Sequence, residues 1–438
     1  MVDATFSDFP TVRTFNRRII AILVAATGNL VEWFDFYVYA FTSIYFAPSF
    51  FPGSSPVVQQ LNTAAIFAAG FLMRPIGSLV FGVIADKRGR KTALLLSVLG
   101  MCLGSGVIAI LPTYASIGIL APILLLVVRM LQGLAVGGEY GASATYMSEV
   151  AVGGHRGFFG AFQYSTLIGG QLIATLVLVV LRLYLNEHDM IAWGWRIPFI
   201  IGALVATIAL LLRRDLTETA SVKTRAIPGA GTLRRVFQVS KRNFWLVVIF
   251  SSSGSLYFYT FTTYMQKYLV NTAGFDKVTA TNTMAMALLA YMLMQPLFGA
   301  LSDWTGRKFS MIAFNVLAIC CTVPLLTAIG ATHSPTVALI LIIAGLAIIS
   351  IYTSISGLVK AELFPPEIRA VAVGFAFSIG NALFGGTAEF VAPFLKEHGV
   401  ESWFYWYVTG MLVIGLIVAI IMPNPSKDGY LQGDDMER

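Results

Sequence analysis

Long apolar runs separated by short polar breaks dominate the hydropathy pattern of this 438-residue chain. An α-helix needs about 20 apolar residues to cross the hydrocarbon core of a bilayer. Twelve such runs cover residues 19–46, 57–85, 92–111, 119–150, 157–183, 194–213, 243–268, 277–302, 309–330, 335–362, 370–395 and 403–423. Barrel strands are much shorter and alternate in polarity. The pattern therefore predicts an all-α membrane protein with twelve transmembrane helices.

Two repeated motifs divide the predicted spans into two sets of six. GVIADKRGRK at residues 82–91 recurs as GALSDWTGRK at residues 299–308, and the offset is 299 − 82 = 217 positions. A Glu that precedes an Arg by seven residues follows both the fourth and the tenth span. These pairs are Glu149 with Arg156 and Glu362 with Arg369. The similarity predicts two pseudo-symmetric six-helix halves, a plan typical of transporters with a central alternating site.

The longest polar stretch inside the chain separates the two sets of spans and carries Pro, Gly and many charges. We expect an N-terminal half at residues 1–212, a cytoplasmic linker at 213–242 and a C-terminal half at 243–438. Of the 29 Lys and Arg residues, 21 fall on the linker side and 5 on the other side. The positive-inside rule then predicts that the linker and both termini are cytoplasmic.

The composition supports a membrane protein and excludes several other classes. Hydrophobic residues make up 57% of the chain and charged residues 12%, and the mean hydropathy is +0.77. We interpret the net charge of +7 as topological and expect no nucleic-acid partner. The cysteines Cys102, Cys320 and Cys321 all lie in apolar runs, so we expect no disulfide framework and no metal cluster. The sequence contains no familiar motif for catalysis or ATP hydrolysis, so an ion gradient is the expected energy source.

The repeated motif resembles the signature of the major facilitator superfamily, which is a cytoplasmic loop between helices 2 and 3. It matches at Gly82, Asp86, Gly89, Arg90 and Lys91, and the match recurs in the second half. Within that superfamily the chain resembles the metabolite:proton symporters. The segments that carry this likeness are GNLVEWFDFYVYAF (28–41), FAAGFLMRPIG (67–77), RMLQGLAVGGEYG (129–141) and WGWRIPF (193–199).

The resemblance implies a proton-coupled symporter, not an enzyme, that imports α-ketoglutarate or a similar small dicarboxylate by alternating access. The expected partners are the carboxylate, protons and the lipid bilayer of a bacterial inner membrane, and the expected form is a multi-pass monomer without a cofactor. One alternative is a symporter for another organic acid or a zwitterionic osmolyte, which would need an aromatic cage for its quaternary ammonium. The other alternative is a nontransporting receptor, against which the short linker argues.

Ionisable side chains inside the predicted spans are candidates for proton coupling, because each costs about 2.5–3.5 kcal/mol at a helix centre. Asp35 in the first span and Arg129 in the fourth lie at similar depth, about 15 Å from the outer ends of their spans. They predict a buried ion pair that a proton separates, and the resemblance points to the same pair. The alternative is a static salt bridge. Glu32, one turn before Asp35, is a second candidate for the coupled proton.

A substrate with two carboxylates needs cationic groups in the cavity, and the planar fork of arginine meets a carboxylate with two hydrogen bonds. Arg74 is the leading candidate and Arg129 is the second. In the alternative, Arg74 is structural and bonds carbonyls freed by Pro75. Three further residues are candidates for substrate contact, with packing as the alternative for the two tyrosines: Gln163, Tyr257 and Tyr264.

Charged residues at the cytoplasmic ends of the spans are expected to form a gate, a role that only the resemblance implies. Asp86, Arg90, Glu149 and Arg156 would latch the inner face of one half when the cavity opens outward. The equivalent residues of the other half are Asp303, Arg307, Glu362 and Arg369. The alternative is positive-inside topology alone, which would need no acidic partners.

Three further features of the sequence have open interpretations. Gly133, Gly137 and Gly141 recur at four-residue spacing, which predicts close packing of a neighbouring helix. Glu139 either pairs with the arginine of the second span or belongs to a cytoplasmic network. Lys360, close to the end of the tenth span, is expected to be an interface or gate charge.

Overall fold

The computed structural model describes residues 15–54, 56–151 and 154–431. Within this part of the chain, eleven helices are long and apolar enough to cross a membrane. The remaining predicted span, at 370–395, consists of three helical segments. An α-helix at Arg369–Gly380 is followed by a π-helical turn at Asn381–Gly385 and a second α-helix at Gly386–Glu397. The expected all-α architecture is confirmed.

The long helices follow the predicted runs closely. The first six are α1 (Phe15–Phe50), α2 (Pro56–Arg88), α3 (Arg90–Ile110), α4 (Leu120–Val150), α5 (Arg156–Tyr184) and α6 (Arg196–Arg213). The last six are α7 (Lys241–Asn271, with a π-helical turn at Thr260–Tyr264), α8 (Lys277–Thr305), α9 (Arg307–Ala331), α10 (Pro335–Glu362), α11 (Arg369–Gly380, Asn381–Gly385 and Gly386–Glu397) and α12 (Ser402–Ile421). Short helical segments occur at Tyr114–Ile117, Glu187–Asp189, Met190–Gly194, Val222–Arg225, Leu233–Val239 and Pro425–Asp428.

The linker between α6 and α7 lies at the same end of the helices as the α2–α3 and α8–α9 loops, and we call this end the linker face. Glu218 of the linker accepts hydrogen bonds from the backbone N–H groups of Arg90 and Lys91 at the start of α3. Arg213, expected in the linker, is instead the fully buried last residue of α6. The division into halves and linker stays a prediction, and its ends at residues 1–14 and 432–438 lie outside the described residues.

The helices divide into lipid-facing and buried sides. On α6 the exposed residues Leu204, Ile208 and Leu211 recur at the spacing of one helical face. The small residues Gly202 and Ala206 occupy the opposite, buried face. Lipid tails solvate the apolar side as well as protein does, so the small residues determine how closely the helices pack.

The glycines of the repeated motif explain its recurrence. Gly89 and Gly306 adopt φ values of 117° and 90° in the two short loops, a conformation that L side chains rarely adopt. A Cβ on Gly82 would lie 2.6 Å from the Cα of Val371 in α11. A Cβ on Gly299 would overlap the carbonyl oxygen of Gly157 in α5. The motif thus allows the first and last six helices to meet, backbone against backbone, at the linker face.

The predicted packing role of the α4 glycines is confirmed. A Cβ on Gly133 or Gly137 would overlap backbone carbonyls of α2. A Cβ on Gly141 would lie 2.7 Å from the carbonyl oxygen of Ala370 and 2.8 Å from the Cα of Gly374 in α11. Helix α4 is therefore held against α2 along its middle and against α11 near the linker face.

Candidate functional site

Arg74 is a buried guanidinium with no carboxylate oxygen of the described residues within 4.0 Å, and Glu32 acts on it electrostatically from farther away. Its guanidinium carbon lies 4.0 Å from the ring centre of Phe71, 4.6 Å from Phe36 and 5.3 Å from Trp33, and the residue is 6% exposed. Side chains in a helix point towards its N-terminus, which brings Arg74 over Phe71 one turn earlier. It makes no hydrogen bond or ion pair with any described residue. The structure therefore offers no support for the alternative in which it bonds carbonyls near Pro75.

Arg129 of α4 contributes a second guanidinium to the same region. It lies 4.2 Å from the ring centre of Tyr39 and donates a hydrogen bond of 2.8 Å to Oε1 of Gln132. Both arginines line one small cavity among α1, α2, α3 and α4. The walls of this cavity include Phe36, Phe67, Phe71, Met101, Gln132 and Val136. The two leading substrate candidates are thus brought together.

Asp35 does not form the direct ion pair with Arg129 that its depth predicted. The Ser105 hydroxyl of α3 donates a hydrogen bond to Asp35 Oδ2. Gln132 Nε2 in turn donates to Ser105 at 3.0 Å. Because Arg129 donates to Gln132, a continuous chain of four side chains connects the buried carboxylate to the cavity. Sequence reasoning missed Ser105 and Gln132, since neutral side chains in a span carry no distinctive signal.

The second oxygen of Asp35 is buried and has no hydrogen-bond partner among the described residues. It faces Gly202 of α6, where an added Cβ would overlap it. Glu32, the alternative proton carrier, is also buried, and its Oε2 likewise has no partner in the described part of the chain. Both carboxyl groups therefore have at least one oxygen free to take up a proton.

Glu139 pairs with Arg213 and not with Arg74. Its two oxygens accept hydrogen bonds of 2.5 and 3.0 Å from the Arg213 guanidinium, and Ser97 donates to it at 2.6 Å. An added Cβ on Gly28 would overlap that guanidinium, so this glycine makes room for the arginine. Neither alternative predicted for Glu139 is observed, because it forms a buried pair with Arg213 inside the first six helices.

The remaining substrate candidates are dispersed. Gln163 of α5 lies between the two sets of helices, because its Oε1 occupies the space where Gly357 of α10 would carry a Cβ. Tyr257 donates to the carbonyl of Gly345 at 3.3 Å, and Tyr264 donates to Glu401 at 3.2 Å. Both tyrosines thus point into the packing of the last six helices and neither lines the arginine cavity. Their predicted substrate contact has no support in this conformation, since Tyr257 faces α10 and Tyr264 faces the start of α12.

The acidic residues of the repeated motif cap helices of the opposite set. Asp86 accepts hydrogen bonds from the backbone N–H groups of Ala370 and Val371, at 3.2 and 3.0 Å, at the start of α11. Asp303 accepts from Gly157 and Phe158, at 2.8 and 3.0 Å, at the start of α5. Carboxylates satisfy the free N–H groups and the positive end of a helix dipole. These two caps join the halves symmetrically.

The other predicted gate residues form a network at the same face. Glu149 lies 2.7 Å from Arg369 and 3.4 Å from Arg90, and Arg90 donates to the carbonyl of Pro366 at 2.7 Å. The network also contains Arg90–Asp86 at 2.9 Å, Arg307–Asp303 at 2.9 Å, Arg307–Glu362 at 3.8 Å and Arg156 to the Leu431 carbonyl at 3.0 Å. The sequence predicted two separate networks of charged residues, one within each half. The structure corrects this, because Glu149, Asp86 and Asp303 link one set of helices to the other.

Several comparisons with known proteins agree on the family of this chain. Residues 25–389 match the Major Facilitator Superfamily. The chain is 56% identical to the "Alpha-ketoglutarate permease" of Escherichia coli (strain K12), over 94% of this chain and 95% of that protein. It is 35% identical to the "Citrate-proton symporter" of Klebsiella pneumoniae, over 87% of this chain and 86% of the relative.

The fold also matches a solved structure. The proton:xylose symporter XylE bound to 6-bromo-6-deoxy-D-glucose superposes with a TM-score of 0.80 at 18% sequence identity, covering 96% of this chain and 99% of that chain. At that identity the match concerns the fold alone. With its two sets of six helices, its doubly occurring loop motif and its relatives, this chain belongs to the major facilitator superfamily.

Proposed function

We propose that this protein imports α-ketoglutarate or a similar small dicarboxylate together with protons. The observation that carries the proposal is Arg74, a guanidinium buried among aromatic rings with no carboxylate of the described residues within ion-pair distance. Burying an unpaired charge is costly, so such a site is expected to gain an anionic ligand. The 56% identity to an α-ketoglutarate permease supports the same substrate class.

Arg74 and Arg129 bind one carboxylate of the substrate in this proposal. Their planar forks suit bidentate contact, and the surrounding rings exclude water, which strengthens the electrostatic attraction. An osmolyte with a quaternary ammonium would need an empty aromatic cage. The rings of Trp33, Phe36 and Phe71 already surround the guanidinium of Arg74, which argues against that alternative.

Asp35 carries the coupled proton, and Glu32 is the alternative carrier. A proton on Asp35 removes the anionic acceptor of the Ser105 hydroxyl, so the bonds through Gln132 to Arg129 must rearrange. Arg129 thereby links protonation to the binding of the carboxylate. This chain of contacts supports an indirect coupling that needs no ion pair between Asp35 and Arg129.

Alternating access completes the proposal. The links of Asp86, Asp303 and Glu149 across the linker face support a state closed on that side, with substrate entering from the opposite face. We place the linker face and both termini in the cytoplasm of a bacterium, and the chain acts as a monomer in the inner membrane. The segments 1–212, 213–242 and 243–438 serve as first half, linker and second half.

Uptake of labelled α-ketoglutarate into proteoliposomes under an imposed proton gradient tests this function. Asp35→Asn should lose gradient-driven accumulation yet keep exchange of internal for external substrate, because exchange needs no net proton movement. Gln132→Met should weaken coupling in the same direction. Gln171→Met, at another buried glutamine of the first six helices, and Glu187→Gln, at an exposed acid, are the matched controls.

The substrate site is tested in the same vesicles. Arg74→Ala should raise the KM about 10- to 100-fold, the loss expected for a charged hydrogen bond. Accumulation that survives an uncoupler would refute symport. If Glu32→Gln abolishes accumulation while Asp35→Asn does not, the proton belongs to Glu32.

A further inference from the structure

Lys360 is a second buried basic residue, and it belongs to the last six helices. The residue is 0% exposed. Its ammonium donates to the Tyr140 hydroxyl at 2.8 Å and to the Ser356 hydroxyl at 2.7 Å. No carboxylate oxygen of the described residues lies within 4.0 Å of it. An amine among neutral hydroxyls is costly to keep charged, and a bound anion would remove that cost, so the site favours an anionic ligand.

The surroundings of Lys360 come from both sets of helices. Tyr140 of α4 stacks on Phe377 of α11 with ring centres 3.6 Å apart. The ammonium lies 4.3 Å from the ring centre of Phe377 and 5.0 Å from that of Tyr140. Adjacent to this layer, Ser78 of α2 and Ser378 of α11 share a hydrogen bond. Lys360 therefore lies where the two sets of helices meet, among side chains of α4, α10 and α11.

A hydrogen-bond donor close to Lys360 also lacks an acceptor among the described residues. Gln163 Nε2 is buried and has no hydrogen-bond partner among the described residues. Its side chain packs against Gly357, one turn before Lys360 on α10. Buried N–H groups are rarely left unpaired, because the lost hydrogen bond costs about 1–3 kcal/mol. An ammonium and an unpaired amide at one interface favour an acceptor with several oxygens.

The separation of Lys360 from Arg74 suits a short dicarboxylate. The Arg74 guanidinium lies over Phe71, about 4.5 Å above its own Cα along the helix. Gly137 packs against the Arg74 carbonyl, and Tyr140 lies three residues, again about 4.5 Å, below that level. The Lys360 side chain, bonded to Tyr140, thus lies on the linker side of the Arg74 guanidinium, about one to two helical turns away along the helix axis. A five-carbon diacid spans about 5 Å and adds a hydrogen bond at each end.

We propose that Lys360 binds the second carboxylate of the substrate while Arg74 binds the first, an assignment that rests on the proposed function. The substrate then bridges the two sets of helices, which a monocarboxylate cannot do. Its carboxylate takes the place of the Tyr140 hydroxyl on the ammonium. Binding a dicarboxylate therefore releases one tie between α4 and α10 and makes Lys360 the residue that selects diacids over monoacids.

The test measures binding of two ligands to purified protein by calorimetry: α-ketoglutarate and 2-oxopentanoate, the five-carbon keto acid with one carboxylate. The native protein should prefer α-ketoglutarate about 10- to 100-fold, the contribution of one charged hydrogen bond. Lys360→Met should lower the affinity for α-ketoglutarate alone and bring the ratio close to one. Lys360→Arg should restore most of the preference, and Lys360→Gln serves if the Met variant fails to fold.

Two controls separate binding from packing. Tyr140→Phe removes the hydroxyl that the second carboxylate must displace but keeps the ring, so it should keep or raise the ratio. Lys277→Met, at an exposed lysine of α8, should keep it as well. If Lys360→Met retains the preference, or if it and Tyr140→Phe weaken both ligands alike, Lys360 is a structural tie and the assignment is wrong. A native protein that binds neither α-ketoglutarate nor any other short diacid would instead refute the proposed function itself.

Discussion

Two buried arginines of the first six helices show how neighbours decide the role of one residue type. Arg213 lies against Glu139, with both carboxylate oxygens within 3.0 Å, and Gly28 makes room for it. Arg74 lies against aromatic rings and has no carboxylate within ion-pair distance among the described residues. The first arrangement is complete without a ligand, whereas the second gains from one. Charge and burial alone do not distinguish them.

Arg213→Ala should strongly destabilise the protein. Removing one partner of a buried ion pair leaves Glu139 charged and uncompensated, which costs about 3–5 kcal/mol. Thermal unfolding of the purified variant should show a clearly lowered Tm, and Glu139→Gln in the same chain should recover part of the loss. Arg214→Ala, at the exposed neighbouring residue, is the control and should leave the Tm within error. Equal Tm values for the two arginine variants would contradict the pair's structural role.

At the scale of helices, periodicity predicts which residues share a face but not which neighbour that face meets. Tyr257 and Tyr264, seven residues apart, lie on one face of α7, but that face packs on α10 and on the start of α12. The α4 glycines, by contrast, contact two different helices in succession, α2 through Gly133 and Gly137 and α11 through Gly141. Neighbour identity depends on tilt and on the packing of the whole bundle.

Gly82→Val should prevent closure of the linker face. The new side chain would collide with the backbone of Val371, and backbone atoms cannot move aside as a flexible side chain does. We expect loss of uptake and increased labelling of a cysteine placed at Ser378 by a membrane-impermeant thiol reagent. Gly410→Val is the matched control, because a Cβ there meets nothing within 4 Å. Unchanged labelling in the Gly82 variant would show that the close contact is not needed for closure.

At the scale of the whole molecule, the linker face is closed by contacts between the two sets of helices. Asp86 and Asp303 cap α11 and α5, and Ser78 bonds to Ser378 in the layer above. Alternating access requires these contacts to break together, since each joins the same two rigid units. The same closure places Lys360 of α10 against Tyr140 of α4 and Gln163 of α5 against Gly357 of α10.

A disulfide between the halves should therefore stop transport. Cysteines at Ser78 and Ser378, in a chain without native cysteines, should cross-link on oxidation because the two side chains are in contact. We expect uptake to fall to background and to return after reduction. Cys102 with Thr207→Cys, 3.3 Å apart in the native chain and both within the first six helices, is the control and should retain uptake when oxidised. Full uptake by the cross-linked Ser78–Ser378 variant would exclude opening at this layer.

The fold class, the twelve spans and the family could all be predicted from the amino-acid sequence. A membrane helix makes its backbone hydrogen bonds within itself, so the local hydropathy of the sequence predicts where each span lies and how long it is. The repeated loop motif identifies the superfamily. The sequence also indicated Arg74 and Asp35, because a charge inside an apolar run is visible without coordinates.

The partners of those charges depend on the folded helix bundle and could not be predicted from the sequence. In the structure, Ser105 and Gln132 lie between Asp35 and Arg129, and Glu139 pairs with Arg213. Arg74 has no ion pair with any described residue. The folded bundle also joins the gate residues across the two sets of helices and brings Lys360 to their interface. The physical reason is that an ion pair or hydrogen bond acts over about 3–4 Å. At that range the rotation and tilt of each helix choose the partner, and they are set by packing across the bundle.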